Sequence, residues 1–158
     1  MKVHELMTRE VVTVGLDDTL VHARRLLKEH GISALPVVGE RGRLLGIVTT
    51  RDLLGYQPED ERVPVRKVMR RRVHTLPPDA GVRQLAAVMG ERRIHHVVVI
   101  ERETVRGIIS AFDLLKILAM PDPALTPIPP AHGPPPEAAL GLVLLDESPE
   151  NTQQDVEE

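Results

Sequence analysis

The sequence predicts an α/β (α+β) fold made of two copies of one β-α-β-β-α unit. The first observation is an internal repeat, because the two copies share a register over about 50 residues. The second is that each copy runs from a helical apolar pattern into two apolar segments separated by a short turn. The third is composition: 42% of the residues are apolar but only 1% are aromatic, so the core must be aliphatic.

The repeat is clearest in two stretches of nine residues. Residues 46–54 read GIVTTRDLL, and residues 107–115, 61 positions later, read GIISAFDLL. Earlier in each copy the offset is 62, as it is between Met7 and Met69. An internal duplication in which one hairpin has lost a residue explains both offsets.

Each copy is predicted to contain one long amphipathic helix. In the first copy, Asp17 or Asp18 is the predicted N-cap, and the helix runs through His30 to a left-handed Gly31. In the second copy, Asp79 is the predicted cap. The apolar positions that form one face of the two helices are Leu20, Ala23, Leu27, Val82, Leu85 and Met89.

Extended segments surround each helix. We expect short strands before the helices, at 11–14 and 73–76, and a final short helix that begins at Thr49 in one copy and Ser110 in the other. The predicted hairpin strands are 34–38 with 43–49 and 95–100 with 105–110.

Composition excludes several classes of function. The chain has no cysteine, which removes disulfides, thiolate zinc sites and cysteine nucleophiles and fits a cytoplasmic protein. No apolar run approaches the roughly 18 residues that a membrane helix needs, and the first residues show no signal-peptide pattern, so we expect no membrane partner. No nucleophile elbow, phosphate loop or His-Glu-x-x-His motif is present, so we do not expect an enzyme.

The C-terminal part differs in composition from the rest. Residues 121–158 contain nine of the 14 prolines and eight acidic residues but no Lys or Arg, so we expect a tail that is mostly disordered. Its apolar stretch at 140–145 could form a short strand or a docking peptide. The predicted division is a first repeat at 1–56, a linker at 57–63, a second repeat at 64–120 and the tail at 121–158.

A hydroxyl and a carboxylate stand three residues apart at the start of each final helix. These pairs are Thr49 with Asp52 and Ser110 with Asp113. The structural interpretation is a capping box, which contributes about 1 kcal/mol. The functional interpretation is a nucleotide site, because a helix N-terminus suits a phosphate and a carboxylate can accept from both hydroxyls of a ribose diol. Both roles can hold together.

Two basic groups have a structural and a functional interpretation. His95 and His96 adjoin on a predicted strand and therefore face opposite ways, so they cannot readily form a two-histidine metal site. A packed structural histidine is the simpler interpretation of either. The basic cluster within Arg66–Arg72 could contact a phosphate backbone, although a solvated edge is the simpler interpretation.

The two copies resemble tandem cystathionine-β-synthase (CBS) domains, the unit called a Bateman module. The resemblance covers roughly residues 1–119. The residues that carry it are VHELM and VRKVM before the copies, the helix DDTLVHARRLLKEHGI, the strand ALPVV, and the repeated GIVTTRDL and GIISAFDL.

The resemblance implies a pseudo-twofold pair with two clefts, a homodimer, and binding of adenosine compounds such as AMP, ADP, ATP, NAD or S-adenosylmethionine, with or without Mg²⁺. The ligand-binding residues that it implies are Thr49, Asp52, Ser110, Asp113, Arg51, Arg93 and His96. The family's usual proline in the middle strand is present as Pro36 but replaced by Val98. The residue before the aspartate is Arg51 in one copy and Phe112 in the other, so we expect unequal clefts.

The sequence thus favours a stand-alone regulatory module that senses adenine nucleotides, as in energy sensing, and signals to a regulated protein of unknown identity. No cofactor is required for this role. One alternative is a ligand-free dimerisation scaffold of the same fold. The other is an accessory protein that binds nucleic acid through the Arg66–Arg72 cluster, a partner that we do not favour.

Overall fold

The computed structural model describes residues 1–57, 60 and 62–118. The predicted tail at 121–158 lies outside these residues, as do three positions of the predicted linker. The helices and strands, in chain order, are α1 (Val3–Leu6), α2 (Leu20–His30), β1 (Ala34–Val38), β2 (Leu44–Thr49), α3 (Thr50–Leu53), β3 (Thr75–Leu76), α4 (Val82–Arg92), β4 (His96–Glu101), β5 (Thr104–Ser110) and α5 (Ala111–Leu118).

The sheets have the predicted connectivity. Strands β1 and β2 form an antiparallel hairpin, and β4 and β5 form the second one, with β3 parallel to β4. In the first repeat, Val14 takes the place of β3 and pairs in parallel with Val37. The predicted leading strand at 11–14 is thus reduced to a single bridge, whereas the second repeat has its leading strand as β3. The predicted α+β fold class with two repeats is confirmed.

The N-caps of the long helices differ from the prediction. The cap of α2 is Thr19, whose hydroxyl accepts a hydrogen bond from the His22 N–H at 3.3 Å, because the Asp18 carboxylate turns back to accept from the Gly15 N–H at 2.7 Å. The cap of α4 is Gly81, which contributes no side-chain acceptor, so the prediction of Asp79 was also wrong.

The C-terminal ends of the two helices are equivalent. Gly31 ends α2 in the left-handed conformation at φ 61°, as predicted. Arg93 occupies the same place after α4 at φ 51°, although a side chain makes this conformation less favourable.

The leading segment of each repeat packs against the other repeat. Val3 lies in the core of the second repeat, whereas Val65 and Met69 lie in the core of the first. The same exchange occurs at the sheet edges, where Thr8 pairs with β5 and Arg70 pairs with β2, both antiparallel. The two repeats are therefore interlocked rather than simply placed side by side.

The strand glycines of the repeated motif make this exchange possible. A Cβ at Gly46 would lie 2.8 Å from the Met69 sulfur and 2.9 Å from the Arg70 carbonyl oxygen. A Cβ at Gly107 would collide with Met7, whose Cγ would be 2.8 Å away. The crossing segments therefore occupy the space in front of both glycines.

A third core joins the two sheets. Ala34, Ile47 and Val98 are buried there, and Ile47 has Ile108 as its equivalent in the other repeat. The partly buried residues packed around them are Leu44, Val73, Ile100, Val105 and Ile108. This aliphatic layer holds the repeats as the pseudo-twofold pair that the resemblance implied.

Candidate functional site

The first candidate site lies where β2 meets α3. Thr49 is in extended conformation as the N-cap, and both its N–H and its hydroxyl donate to Oδ2 of Asp52, at 2.9 and 2.7 Å. The Asp52 N–H donates back to the Thr49 hydroxyl at 3.4 Å. The predicted capping box is confirmed here, and it fixes one carboxylate oxygen in place.

The second candidate site repeats this arrangement where β5 meets α5. The N–H and the hydroxyl of Ser110 both donate to Oδ2 of Asp113 at 2.8 Å. A one-turn helix start with a fixed carboxylate therefore occurs once in each repeat.

The remaining carboxylate oxygens have different partners in the two sites. Oδ1 of Asp52 accepts from Nε of Arg70 at 2.7 Å, and Arg70 belongs to the segment that crosses from the second repeat. Oδ1 of Asp113 accepts from Nζ of Lys116 at 2.6 Å, one turn further along the same helix. The sites are thus alike in the fixed oxygen and unlike in the cation on the other oxygen.

The carboxylates are enclosed, whereas their cations are open to solvent. The side chains of Asp52 and Asp113 are 7% and 12% exposed, but those of Arg70 and Lys116 are 60% and 70% exposed. Each cation therefore lies mostly in solvent, and its side chain has room to move away from the carboxylate.

Asp113 is held in its ionised form. Burial acts to raise its pKa, but the hydrogen bonds from Lys116 and from the backbone and hydroxyl of Ser110 together bring the pKa below its ordinary value. At neutral pH this carboxylate is therefore an acceptor only, which suits a ligand that donates hydroxyl hydrogens.

His96 lies at the junction of the two repeats, near the second site. It pairs with Ser110 across the hairpin, and its Nε2 is 3.1 Å from the hydroxyl of Ser33 in the first repeat. Burial and the neighbouring His95 lower the pKa of His96, against the opposing effect of Asp113. The ring is therefore neutral at pH 7 and could meet a phosphate as a hydrogen-bond donor rather than as a charge.

The other predicted basic residues stand apart from the carboxylates. Arg51 and Arg93 are exposed, and no hydrogen bond or ion pair between described residues joins either to Asp52 or Asp113. Their role in ligand binding stays a prediction.

Sequence reasoning missed both cations of the sites. Lys116 follows Asp113 by three residues, which is a readable helical spacing. Arg70 was noticed only as part of a basic cluster, because its neighbour Asp52 is distant in sequence. The repeat could have indicated the position of Arg70, because Arg70 is the equivalent of Thr8 in the first copy. Thr8 pairs with β5 of the other repeat, just as Arg70 pairs with β2.

Among residues 1–57, 60 and 62–118, no group of three or more His, Cys, Asp or Glu side chains could hold a metal ion. No helix in the same part of the chain is long and apolar enough to cross a bilayer. A groove of about 460 Å³ lies between α2 and α3, with Leu27, Ile32, Leu53 and Leu54 as its apolar lining.

Comparison with known proteins assigns the repeats. The family model described as "CBS domain" matches twice, at residues 3–59 and 65–120. The uncharacterized protein MJ1404 of Methanocaldococcus jannaschii is 33% identical over 134 residues, which are 75% of this chain and 32% of MJ1404. The chain spans between 23% and 43% of the length of each of the first curated relatives that it matches.

Solved structures show the same fold. A putative acetoin utilization protein (AcuB) from Vibrio cholerae superposes with a TM-score of 0.71 at 32% identity, covering 75% of this chain and 90% of that one. The CBS domain pair of protein MJ0100 superposes with a TM-score of 0.69 at 26% identity, covering 75% and 96%. That pair was solved in complex with 5′-methylthioadenosine and S-adenosyl-L-methionine.

Proposed function

The chain belongs to the CBS domain family as a tandem pair of CBS domains, and we propose that it binds an adenosine-containing ligand and signals its presence to a partner protein. The proposed domains are 1–56 and 64–120, joined by 57–63. The observation that carries the proposal is the carboxylate that each repeat fixes at the end of a strand.

The geometry of these carboxylates suits a ribose diol. Oδ2 of Asp52 and of Asp113 is held by two donors, so the carboxylate cannot rotate away. Oδ1 is held only by a solvent-exposed cation, so it can accept from two adjacent hydroxyls in place of that cation. The predicted ribose contacts are therefore Asp52 and Asp113, with Thr49 and Ser110 as their positioning partners.

The bound MJ0100 pair supports the class of ligand. Both of its ligands contain adenosine, which supplies a ribose diol and a flat apolar base. In the present chain such a base would pack between aliphatic side chains, since only one Tyr and one Phe are available. AMP, ADP, ATP, NAD and S-adenosylmethionine all meet these requirements.

The interlocked repeats give a route from binding to signalling. A ligand on Asp52 would contact a segment of the second repeat, so the packing of the repeats and ligand affinity depend on each other. A ligand shifts such an equilibrium only by its differential affinity for the two packings. The proposed role is therefore regulatory, without catalysis by the pair itself.

A specific observation favours one alternative. The Thr49–Asp52 capping box is complete without a ligand, and in the second repeat the N–H and hydroxyl of Ser110 already hold Asp113, so the same residues would serve a ligand-free scaffold equally well. The two roles make different predictions for ligand binding, which a direct titration can separate.

The test is a thermal-shift screen of the five ligands with and without Mg²⁺, followed by calorimetric titration of Asp52→Asn and Asp113→Asn. The proposal expects at least one ligand to raise the melting temperature and at least one substitution to weaken its binding. Unchanged affinity in both variants would remove the ribose assignment and leave the scaffold.

We also infer that the protein forms a homodimer. Leu54 and Leu115 are equivalent residues of the two repeats, and both project from the short helices into solvent together with Phe112. A second copy of the same chain offers the same apolar side chains and is the simplest cover for them.

A further inference from the structure

Arg70 occupies the oxygen that a ligand at Asp52 would need. Its Nε donates to Oδ1 of Asp52 at 2.7 Å, while Oδ2 is already taken by the two donors of Thr49. A ribose diol brings two hydroxyl donors and must displace the guanidinium to use Oδ1. Arg70 is therefore an internal competitor for any diol at this site.

The displaced guanidinium cannot move far. The backbone of Arg70 is fixed to β2 by two hydrogen bonds, from its N–H to the Ile47 carbonyl at 2.8 Å and from the Ile47 N–H back at 3.0 Å. Only the exposed side chain is free to swing. After release it would still lie beside the bound ligand, without the carboxylate as a partner.

The second site lacks this arrangement. The cation on Asp113 is Lys116, which sits on the same helix and is open to solvent. An ammonium group is a compact and strongly hydrated charge that water can satisfy, whereas a guanidinium is weakly hydrated and presents a planar fork that matches phosphate. Displacement of Lys116 thus creates no comparable demand for an anion.

We propose that Arg70 makes the Asp52 site selective for phosphorylated nucleosides. The ligand's ribose takes Oδ1 of Asp52, and its phosphate takes the guanidinium that the ribose has displaced. A nucleoside without phosphate must also break the Arg70–Asp52 pair, but it leaves the displaced guanidinium without an anionic partner. Arg70 is a specificity-determining residue of the site, and its selectivity rests on the proposed adenosine-binding function.

The experiment compares AMP with adenosine as probes. Asp113→Asn is present in every variant so that the Asp52 site is measured alone. Arg70→Gln removes the guanidinium but keeps the backbone and much of the stem. Arg71→Gln is the matched control, because Arg71 is the next residue of the same segment and is also exposed. Dissociation constants are measured by calorimetric titration at low and at moderate salt.

We expect the reference protein to bind AMP at least about tenfold more tightly than adenosine, the difference that a charge-assisted contact commonly gives. Arg70→Gln should weaken the binding of AMP and strengthen the binding of adenosine, so that the preference for AMP falls at least about tenfold. It should also reduce the salt dependence of AMP binding. Arg71→Gln should retain both properties.

The outcomes separate this inference from the proposed function. An AMP preference that is equal in Arg70→Gln and Arg71→Gln, while Asp52→Asn abolishes AMP binding, overturns the role of Arg70 alone. Equal AMP binding with and without Asp52→Asn overturns the ribose site and the inference with it. The absence of binding by either probe would also overturn both.

Discussion

The two oxygens of each carboxyl group, in Asp52 and in Asp113, have different hydrogen-bond partners. In each, Oδ2 accepts from two donors at the start of a helix, and Oδ1 accepts from a solvent-exposed cation. Capping and ligand binding are therefore not exclusive, because they use different atoms of the same side chain. The repeated motif keeps a hydroxyl three residues before the carboxylate because that hydroxyl orients the carboxylate.

Replacing Asp52 with Asn should destabilise the ligand-free protein. The amide keeps one oxygen for the two donors of Thr49, but its NH₂ group then faces the guanidinium of Arg70 and repels it. We expect a loss of roughly 0.5–1 kcal/mol in the free energy of unfolding, measured by urea denaturation. Asp79→Asn, at an exposed position without a cap role, is the control. Equal stability of the two variants would contradict the cap.

The stability of the protein should depend on pH through His96. Its folded pKa is lowered from the ordinary 6.5, because burial and His95 disfavour the charged ring. Below about pH 6.5 the unfolded chain therefore binds more protons at this position than the folded one, so stability falls as the pH decreases, until the folded pKa is passed.

The variant His96→Gln keeps an amide donor for Ser33 and does not titrate. Its melting temperature should fall less between pH 7.5 and pH 5.5 than that of the unmodified protein. His30→Gln, at an exposed position at the end of α2, is the control and should behave like the unmodified protein. A pH dependence that is the same in all three proteins would show that His96 makes no contribution.

At the scale of elements, the two strand glycines are matched in sequence but not in surroundings. The three atoms nearest to the added Cβ of Gly107→Ala all belong to the side chain of Met7, whereas the three nearest to that of Gly46→Ala include the backbone oxygen of Arg70. Both variants should lose about 1–3 kcal/mol of stability, the usual range for overpacking.

Truncation of the facing methionine should distinguish them. Met7→Ala should relieve most of the cost of Gly107→Ala, because the colliding Sδ and Cγ atoms are removed. Met69→Ala should leave much of the cost of Gly46→Ala, since the Arg70 carbonyl oxygen remains 2.9 Å from the added Cβ. Double-mutant cycles in urea measure both couplings. Equal coupling in the two pairs would show that the crossing backbone adjusts freely.

The elements that sequence predicted are those determined by local patterns. The helix α2 follows from its apolar spacing and Gly31, and the hydroxyl–carboxylate pairs follow from helix-start chemistry. The cap of α2 was misassigned because Asp17, Asp18 and Thr19 all have side chains suited to capping, and only the turn to Gly15 selects among them.

The crossing of the leading segments could not be predicted in the same way. Arg70 lies beside Ile47 through a backbone pairing that brings together distant parts of the chain, and no local periodicity encodes it. The Arg70–Asp52 pair depends on that crossing, so the difference between the two sites emerged only from the structure. The sequence did predict unequal sites, but from Arg51 and Phe112 rather than from Arg70.

At the scale of the whole molecule, the internal duplication also places apolar side chains at equivalent points of the surface. Leu54 is 80% and Phe112 is 76% exposed, although large apolar residues are usually covered in a stable protein. Leu115, the equivalent of Leu54, is exposed as well. Because the two repeats are related by a pseudo-twofold, one molecule presents this feature twice, which allows a closed contact with a second copy.

The proposed homodimer should be detectable by sedimentation at micromolar concentration and should dissociate in the double variant Leu54→Glu/Leu115→Glu. Two glutamates at the centre of the contact would be desolvated on association and would repel their equivalents in the second copy. Because the substituted side chains are exposed in the monomer, the variant should keep its helix and strand content by circular dichroism. A double substitution of the exposed Glu40 and Arg102 by Ala is the control and should remain dimeric. A monomer at micromolar concentration in the unmodified protein would contradict the homodimer, and a dimer that survives the two glutamates would place its interface elsewhere on the surface.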